Sequence, residues 1–348
     1  DVGLVTATGQ VMRESVGLNE CISRVDKDMR AGDFRWSWRE GHRHFSWGFA
    51  VAYKNTGLGG GAPDKSSAQV EVWTRLDGAV HAEVRTTAAE LGQGLPAVLA
   101  VCVAEELGIP AKQVNVLLGD TDYCPDGGPT TASRQTFVTG NAARHASRTL
   151  VEQLTPVAAG LLQCGPDDPG FGDGQFHVAG KKVSLADVIK RASETGIATM
   201  AEYEYWAPET KALGTGGDMH FAFGFCAQAV LCEIDTHTGE VSVRKVIAAH
   251  DVGRAINPLT LEGQIEGGIV MCIGYALTEH YIQEQGLPWT NVMARYKMPG
   301  IRHTPEIISH IVEHATSSGP YGAKGVGELP SIPTSAAITN AIYRATGV

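Results

Sequence analysis

The chain has 348 residues, 43% hydrophobic and 19% charged, enough for a globular core in one large domain or two lobes. Its net charge of −10 argues against general nucleic-acid binding, which needs clustered Lys and Arg, and no apolar run reaches the roughly 18 residues of a membrane span. Seven scattered cysteines without a Cys-x-x-Cys exclude a self-contained plant-type iron–sulfur site and read as reduced thiols in the cytoplasm.

In chain order, residues 1–45 read as a polar, irregular lead-in, and a single domain is expected over 46–348. Ser46–Tyr53 has the pattern of a strand, and Gly57–Pro63 that of a loop. Two alternating segments, Gln69–Arg75 and Ala79–Arg85, flank Asp77-Gly78 and predict a hairpin. Apolar residues at helical spacing over 95–107 end at Gly108 with Pro110 beyond, which predicts a helix with a glycine terminus. A strand at Val114–Leu118 and a helix over about 138–162 follow.

Residues 164–180 are rich in Gly, Pro and Asp and read as a variable surface excursion. Ser184-Leu-Ala-Asp187 is a capping-box-like helix start. Phe223–Ile234 and Glu240–Ala249 predict a long hairpin across Thr236–Gly239. Helices are expected over Pro258–Leu277 and about 331–346. Strands and helices in blocks, with hairpins and no internal repeat, give the class α+β in two mixed sheet/helix lobes.

Several loops carry polar groups beside glycine. Gly57-x-Gly59-x-x-Ala62 formally matches a dinucleotide fingerprint, but Pro63-Asp64 leads into a strand-like run where the fingerprint needs a helix. Glu90-Leu-Gly-Gln-Gly94 sits between strand and helix; it suits either a plain turn or a backbone approached by a flat ligand. Gly127–Gln135 offers hydroxyls, Arg134 and helix amides, the makings of an anion cradle or of an ordinary Thr/Ser cap. Gln264 lies in a helix with Gly263, Gly267 and Gly268, where each glycine costs roughly 1 kcal/mol against Ala and implies close packing on a neighbouring helix or a ligand. Gly322–Pro330 ends a Gly-rich loop on Glu328, either a dipole-compatible carboxylate or a general base on a rigid turn.

Taken in order, these segments resemble the xanthine dehydrogenase/aldehyde oxidase family of molybdenum hydroxylases. Glu90-Leu-Gly-Gln-Gly94 is similar to the family's Glu-Met-Gly-Gln-Gly, with Leu91 in place of Met. Thr130-Thr-Ala-Ser-Arg-Gln135 with Gly140-Asn-Ala142, Asp251-Val-Gly with Ile256-Asn-Pro258, Gly263-Gln-Ile-Glu-Gly267 and Lys324-Gly-Val-Gly-Glu328 continue the match. Glu328-Leu-Pro departs from the family's Glu-Pro-Pro.

The resemblance implies the second, C-terminal half of a molybdopterin-binding subunit. Gly92, Gln93, Gly94, Thr130, Thr131, Ala132, Ser133, Arg134, Gln135 and Gln264 would hold the pterin and its dinucleotide tail, expected to be the cytosine form. Lys324 and Val326 would line the cofactor, no side chain would ligate the metal directly, and Glu328 would be the catalytic base. The substrate would be an N-heterocycle (nicotinate- or purine-like) or an aldehyde, hydroxylated with oxygen from water. The family's earlier half, with a Gly-Gly-Gly-Phe-Gly-Gly-Lys-like loop, is not found. The expected partners are a chain carrying that half, as in split nicotinate dehydrogenase-type enzymes, an iron–sulfur subunit with 2Fe-2S and an FAD subunit; a fragment of a longer subunit that itself contains that half fits equally. A non-catalytic molybdopterin-binding or assembly scaffold of the same fold is the alternative.

Overall fold

The computed structural model describes all residues from Asp1 to Val348. The chain opens with helix α1 (Leu18–Met29) and strands β1 (Ser37–Glu40) and β2 (Arg43–Thr56). It continues through β3 (Lys65–Thr74), β4 (Val80–Thr86), α2 (Leu95–Leu107), β5 (Val114–Leu118) and α3 (Gln135–Leu162). Next come β6 (Gly170–Gly172), β7 (Gln175–Val178), β8 (Lys181–Ser184), α4 (Leu185–Glu194) and β9 (Met200–Trp206). It closes with β10 (Ala222–Asp235), β11 (Val241–Asp251), α5 (Pro258–Leu277), β12 (Gln283–Glu284), β13 (Leu287–Pro288), α6 (Met293–Tyr296), β14 (Glu306–Val312) and α7 (Ile332–Thr346). The class is α+β. No helix is long and apolar enough to cross a membrane.

Two compact units result: residues 1–56, 222–316 and 324–348 form the first, and residues 57–221 and 317–323 the second. The first is built on a five-stranded sheet, β1-β2-β10-β11-β14, antiparallel except for β11 and β14. Its central strand β10 is buried almost throughout because both faces are covered. Side chains alternate across a strand, so Ala227 and Ala229 meet α1, while Val230 and Cys232 meet α5 and α7. Small residues let helices close on the sheet. A Cβ at Gly48 would collide with the Ala337 carbonyl oxygen of α7.

Helix α1 was not expected in the lead-in. It exists because Cys21, Val25 and Met29 repeat at four-residue spacing and are buried against β10 and β11. This three-residue stripe is outnumbered by charged neighbours in any reading of composition.

The second unit packs α2, α3 and α4 against a sheet ordered β5-β4-β3-β9, with only β4 and β5 parallel. Val70, Val72, Ala82 and Val84 point into this core. Alternate residues form a polar lattice in which Arg85 bridges Glu71, Glu83 and Gln69. Residues 164–180, read as a surface excursion, supply β6 and β7 of a small sheet with β8. Phe176 anchors it, fully buried and 4.7 Å from the Phe171 ring. All seven cysteines are free thiols, and burial pushes Cys21, Cys102 and Cys232 up to about 12.

His250 on β11 is fully buried with neither ring nitrogen hydrogen-bonded, and desolvation holds its pKa down to about 3. The folded protein thus keeps this ring neutral while the unfolded chain protonates it near pH 6.5. Stability from this source is complete above pH 6.5 and falls by up to about 1.4 kcal/mol per unit as pH drops towards 3. The His250→Leu variant should lose that slope in urea titrations at pH 7, 6 and 5; an unchanged slope would refute the assignment. Gly48→Ala should lower the urea midpoint by an amount equivalent to about 3 kcal/mol, through forced separation of α7 from β2.

Candidate functional site

In the second unit the Glu90–Gly94 loop is closed by its own side chains. Glu90 Oε1 accepts the Gly92 and Gly94 N–H groups at 2.7 and 3.0 Å, and Oε2 accepts that of Leu95 at 2.7 Å. This carboxylate satisfies amides at the start of α2, where the Gly94 N-cap has no side chain to do so. Gln93 accepts the Leu91 N–H at 2.5 Å and donates to the Ala89 carbonyl at 2.9 Å. Gly92 has φ +99° and its missing Cβ faces open space, which leaves the loop edge approachable.

Thr130 joins this loop to the next. Its hydroxyl accepts the Ala89 N–H and donates to the Ala89 carbonyl, both at 3.0 Å, and accepts from Gln135 Nε2 at 2.9 Å. Gly92–Gly94 and Thr130–Gln135, some forty residues apart in sequence, are thereby brought side by side. Thr130 is half-buried and Thr131 exposed. Ala132 and Ser133 both adopt left-handed backbone, φ +50° and +52°. For non-glycine residues that costs on the order of 1–2 kcal/mol each, and such strain persists where surrounding structure imposes it.

The imposing structure is Arg134. Its side chain is fully buried and ion-paired with Asp64 at 2.6 Å. The other guanidinium nitrogens donate to the carbonyls of Gly127, Pro129 and Lys65 at 3.0, 2.8 and 2.5 Å. The Arg134 charge is thus paired inside the chain, and the residue shapes the loop. Gln135 is likewise buried, donating to the Pro129 carbonyl and the Thr130 hydroxyl, with Thr139 Oγ1 on its Oε1.

In the first unit a second buried pair holds the other Gly-rich loop. Lys324 Nζ donates to Asp251 Oδ2 at 2.7 Å, with neither side chain exposed, and to the Ser15 carbonyl at 2.8 Å. Burial lowers the Lys324 pKa, with Asp251 opposing. Asp251 also accepts the N–H groups of Gly17, Gly253 and His314. The ammonium of Lys324 thus faces into the protein. Gly325 N–H donates to Thr56 Oγ1, and the Val326 carbonyl accepts from Leu329, which closes the turn.

Beyond this turn Glu328 is half-exposed, with Lys54 Nζ 2.9 Å from its Oε2. Gln264 is half-buried on α5, the helix whose Gly268 packs against Pro330 just after Glu328. Lys324, Val326, Glu328 and the helix of Gln264 therefore belong to one neighbourhood of the first unit. Gly92–Gly94 and Thr130–Gln135 form another, in the second unit.

Sequence reasoning missed Asp64, Asp251 as the anchor of Lys324, and Lys54. Asp64 stood in the rejected Gly-rich loop and Asp251 in a quoted motif, but their partners lie 70 and 73 positions away. Lys54 carried no local signal. Removing one member of a buried pair leaves the other charge uncompensated, so Arg134→Met should cost about 3–5 kcal/mol in chemical denaturation. Asp64→Leu combined with Arg134→Met should recover part of that loss; equal losses in the single and double variants would show that packing, not charge, holds the loop.

The chain is similar to a well-defined group of known proteins. Residues 23–305 match the model of the molybdopterin cofactor-binding domain. The gamma subunit of the 6-hydroxypseudooxynicotine dehydrogenase complex of Paenarthrobacter nicotinovorans is 34% identical over 74% of this chain and 33% of its own length. The xanthine dehydrogenase molybdenum-binding subunit of Escherichia coli O157:H7 is 32% identical over 78% of this chain and 36% of its own. Among solved structures, quinoline 2-oxidoreductase from Pseudomonas putida 86 superposes with a TM-score of 0.81 at 25% identity, covering all of this chain and 45% of that one. The chain spans less than half the length of each of these relatives. It belongs to the molybdopterin cofactor-binding domain family of the xanthine dehydrogenase-like molybdenum hydroxylases.

Proposed function

We propose that this chain helps bind Mo-molybdopterin, in its cytosine dinucleotide form, and supplies Glu328 as the base for hydroxylating an N-heterocycle, nicotinate- or purine-like, or an aldehyde. The observation that carries this reading is the presentation of Glu328: a half-exposed carboxylate on a turn whose root is fixed by the buried Asp251–Lys324 pair. Relatives named for 6-hydroxypseudooxynicotine, xanthine and quinoline support a nitrogen-containing substrate.

Gly92 leaves an open edge for a flat ring system, and the exposed Thr131 beside the half-buried Thr130 offers hydroxyls to a polar tail. Gln93, Ala132, Ser133 and Gln135 complete that wall, with Arg134 holding it from behind. Gln264, Lys324 and Val326 are likewise assigned to cofactor binding, by the resemblance of their motifs. When bound, the molybdenum cofactor supplies the oxygen nucleophile and takes up the electron pair. Glu328 would accept at its carboxylate the proton released in the hydroxylation, and Lys54 orients that carboxylate through the 2.9 Å contact.

Relatives named as subunits support assembly with further chains. We propose that one carries the remaining molybdopterin-binding half, one 2Fe-2S and one FAD, in the cytoplasm. In the assembled enzyme Glu328→Gln should keep its molybdenum, by elemental analysis, and lose about 10²–10⁴ in kcat. A wild-type rate at full molybdenum content would remove Glu328 as the base.

A further inference from the structure

Large apolar side chains stand exposed along one continuous stretch of the first unit. On α5, Met271 and Tyr275 face outward, Tyr275 at 75% exposure. In residues 279–304, Leu287, Trp289, Met293 and Ile301 do the same, and Thr290 is the only buried residue there. This stretch is not an unstructured loop. Trp289 N–H donates to the Ile282 carbonyl, Ile282 N–H to Thr290 Oγ1, and Thr278 Oγ1 to the Lys297 carbonyl. Pro299 fills the space left by Gly274 of α5. The backbone is held in place while its apolar side chains point away from the unit.

Helix α5 carries a second sign. Four of its glycines fall into two pairs. A Cβ at Gly268 would meet Pro330 at 2.9 Å, and one at Gly274 would collide with Pro299, so contacts inside the unit explain them. Around Gly263 and Gly267 nothing lies within 4 Å. They precede Met271 and Tyr275 at four-residue intervals and wind along one side of the helix. A glycine inside a helix costs roughly 1 kcal/mol against Ala, and its usual return is a close backbone approach. For Gly263 and Gly267 no part of this chain makes such an approach.

We infer that this side of α5, together with residues 279–304, is the docking surface for the polypeptide corresponding to the portion of the relatives that this chain does not span. Their lengths point to that occupant. The chain covers 33% and 36% of the two curated relatives and 45% of the quinoline enzyme, so each carries more than half its length as further polypeptide. Aromatic and Met side chains are enriched at protein interfaces, and large exposed apolar patches mark them. A stable interface takes roughly 20–30 residues a side, the scale of this stretch. The inference deepens the reading of a shared molybdopterin site and rests on it.

The test uses the full chain in its native assembly, with the photo-crosslinker p-benzoylphenylalanine at Tyr275 or Met293 and mass spectrometric mapping of the product. Cross-links from both positions should map to a polypeptide that aligns with the part of the xanthine dehydrogenase molybdenum-binding subunit not matched by this chain. Products on a second copy of the chain, on an iron–sulfur or flavin subunit, or no product from an intact assembly would overturn the proposal. A companion variant, Met293→Glu with Trp289→Ser, should release that polypeptide in size-exclusion chromatography while leaving the far-UV circular dichroism of this chain unchanged. Molybdenum analysis of the unmodified assembly separates the two ideas: metal present with cross-links elsewhere sinks the docking surface alone, and an intact assembly without molybdenum sinks the functional reading beneath it.

Discussion

A charge can be buried in a protein only if it is paired and hydrogen-bonded, and this chain uses that constraint at the root of each of its candidate loops. Asp251 gathers Lys324 and three backbone amides, its near neighbour Gly253 and two from distant segments, His314 and Gly17 at the entry to α1. Asp64 fixes Arg134, whose remaining donors hold three carbonyls of the 127–135 and 65 backbone. Neither cation is left for a ligand. Each instead sets the path of a glycine-rich backbone, the one that presents Glu328 in the first unit and the Thr130–Ser133 loop in the second. Positioning by buried charge is the common plan of the two loops.

The elements with strong local signals were legible in the sequence. The β3–β4 hairpin follows from Asp77-Gly78, α2 from its apolar spacing and Gly108, and the β10–β11 hairpin from two apolar runs about Thr236–Gly239. What could not be read depends on distant partners. Helix α1 has a narrow apolar stripe that matters only because β10 and β11 cover it. Residues 164–180 have loop composition, yet Phe176 finds a core to enter.

The same divide runs through the site. The motifs named the loops as candidates, because glycine beside a polar side chain is visible in one dimension. The direction of a side chain is not. Arg134 looked like an anion donor in a loop of hydroxyls, and its carboxylate partner 70 positions earlier turned it inward. Lys54, the residue that meets Glu328, sits near the end of an ordinary strand and announces nothing.

The pairing of β2 with β10 bears on the order in which this molecule is made. The two strands match residue for residue from Arg43↔Asp235 to Thr56↔Ala222, so the whole of residues 57–221 is a closed excursion between neighbouring positions of one sheet. On a ribosome the edge of β2 that meets β10 waits, unpaired, until the excursion has been synthesised, and domains tend to fold as units as they emerge. Most of the second unit can therefore collapse first and bring the ends of its own segment together. The long central strand is then captured late by a partner already at hand, and the cost of closing so large a loop grows only logarithmically with its length.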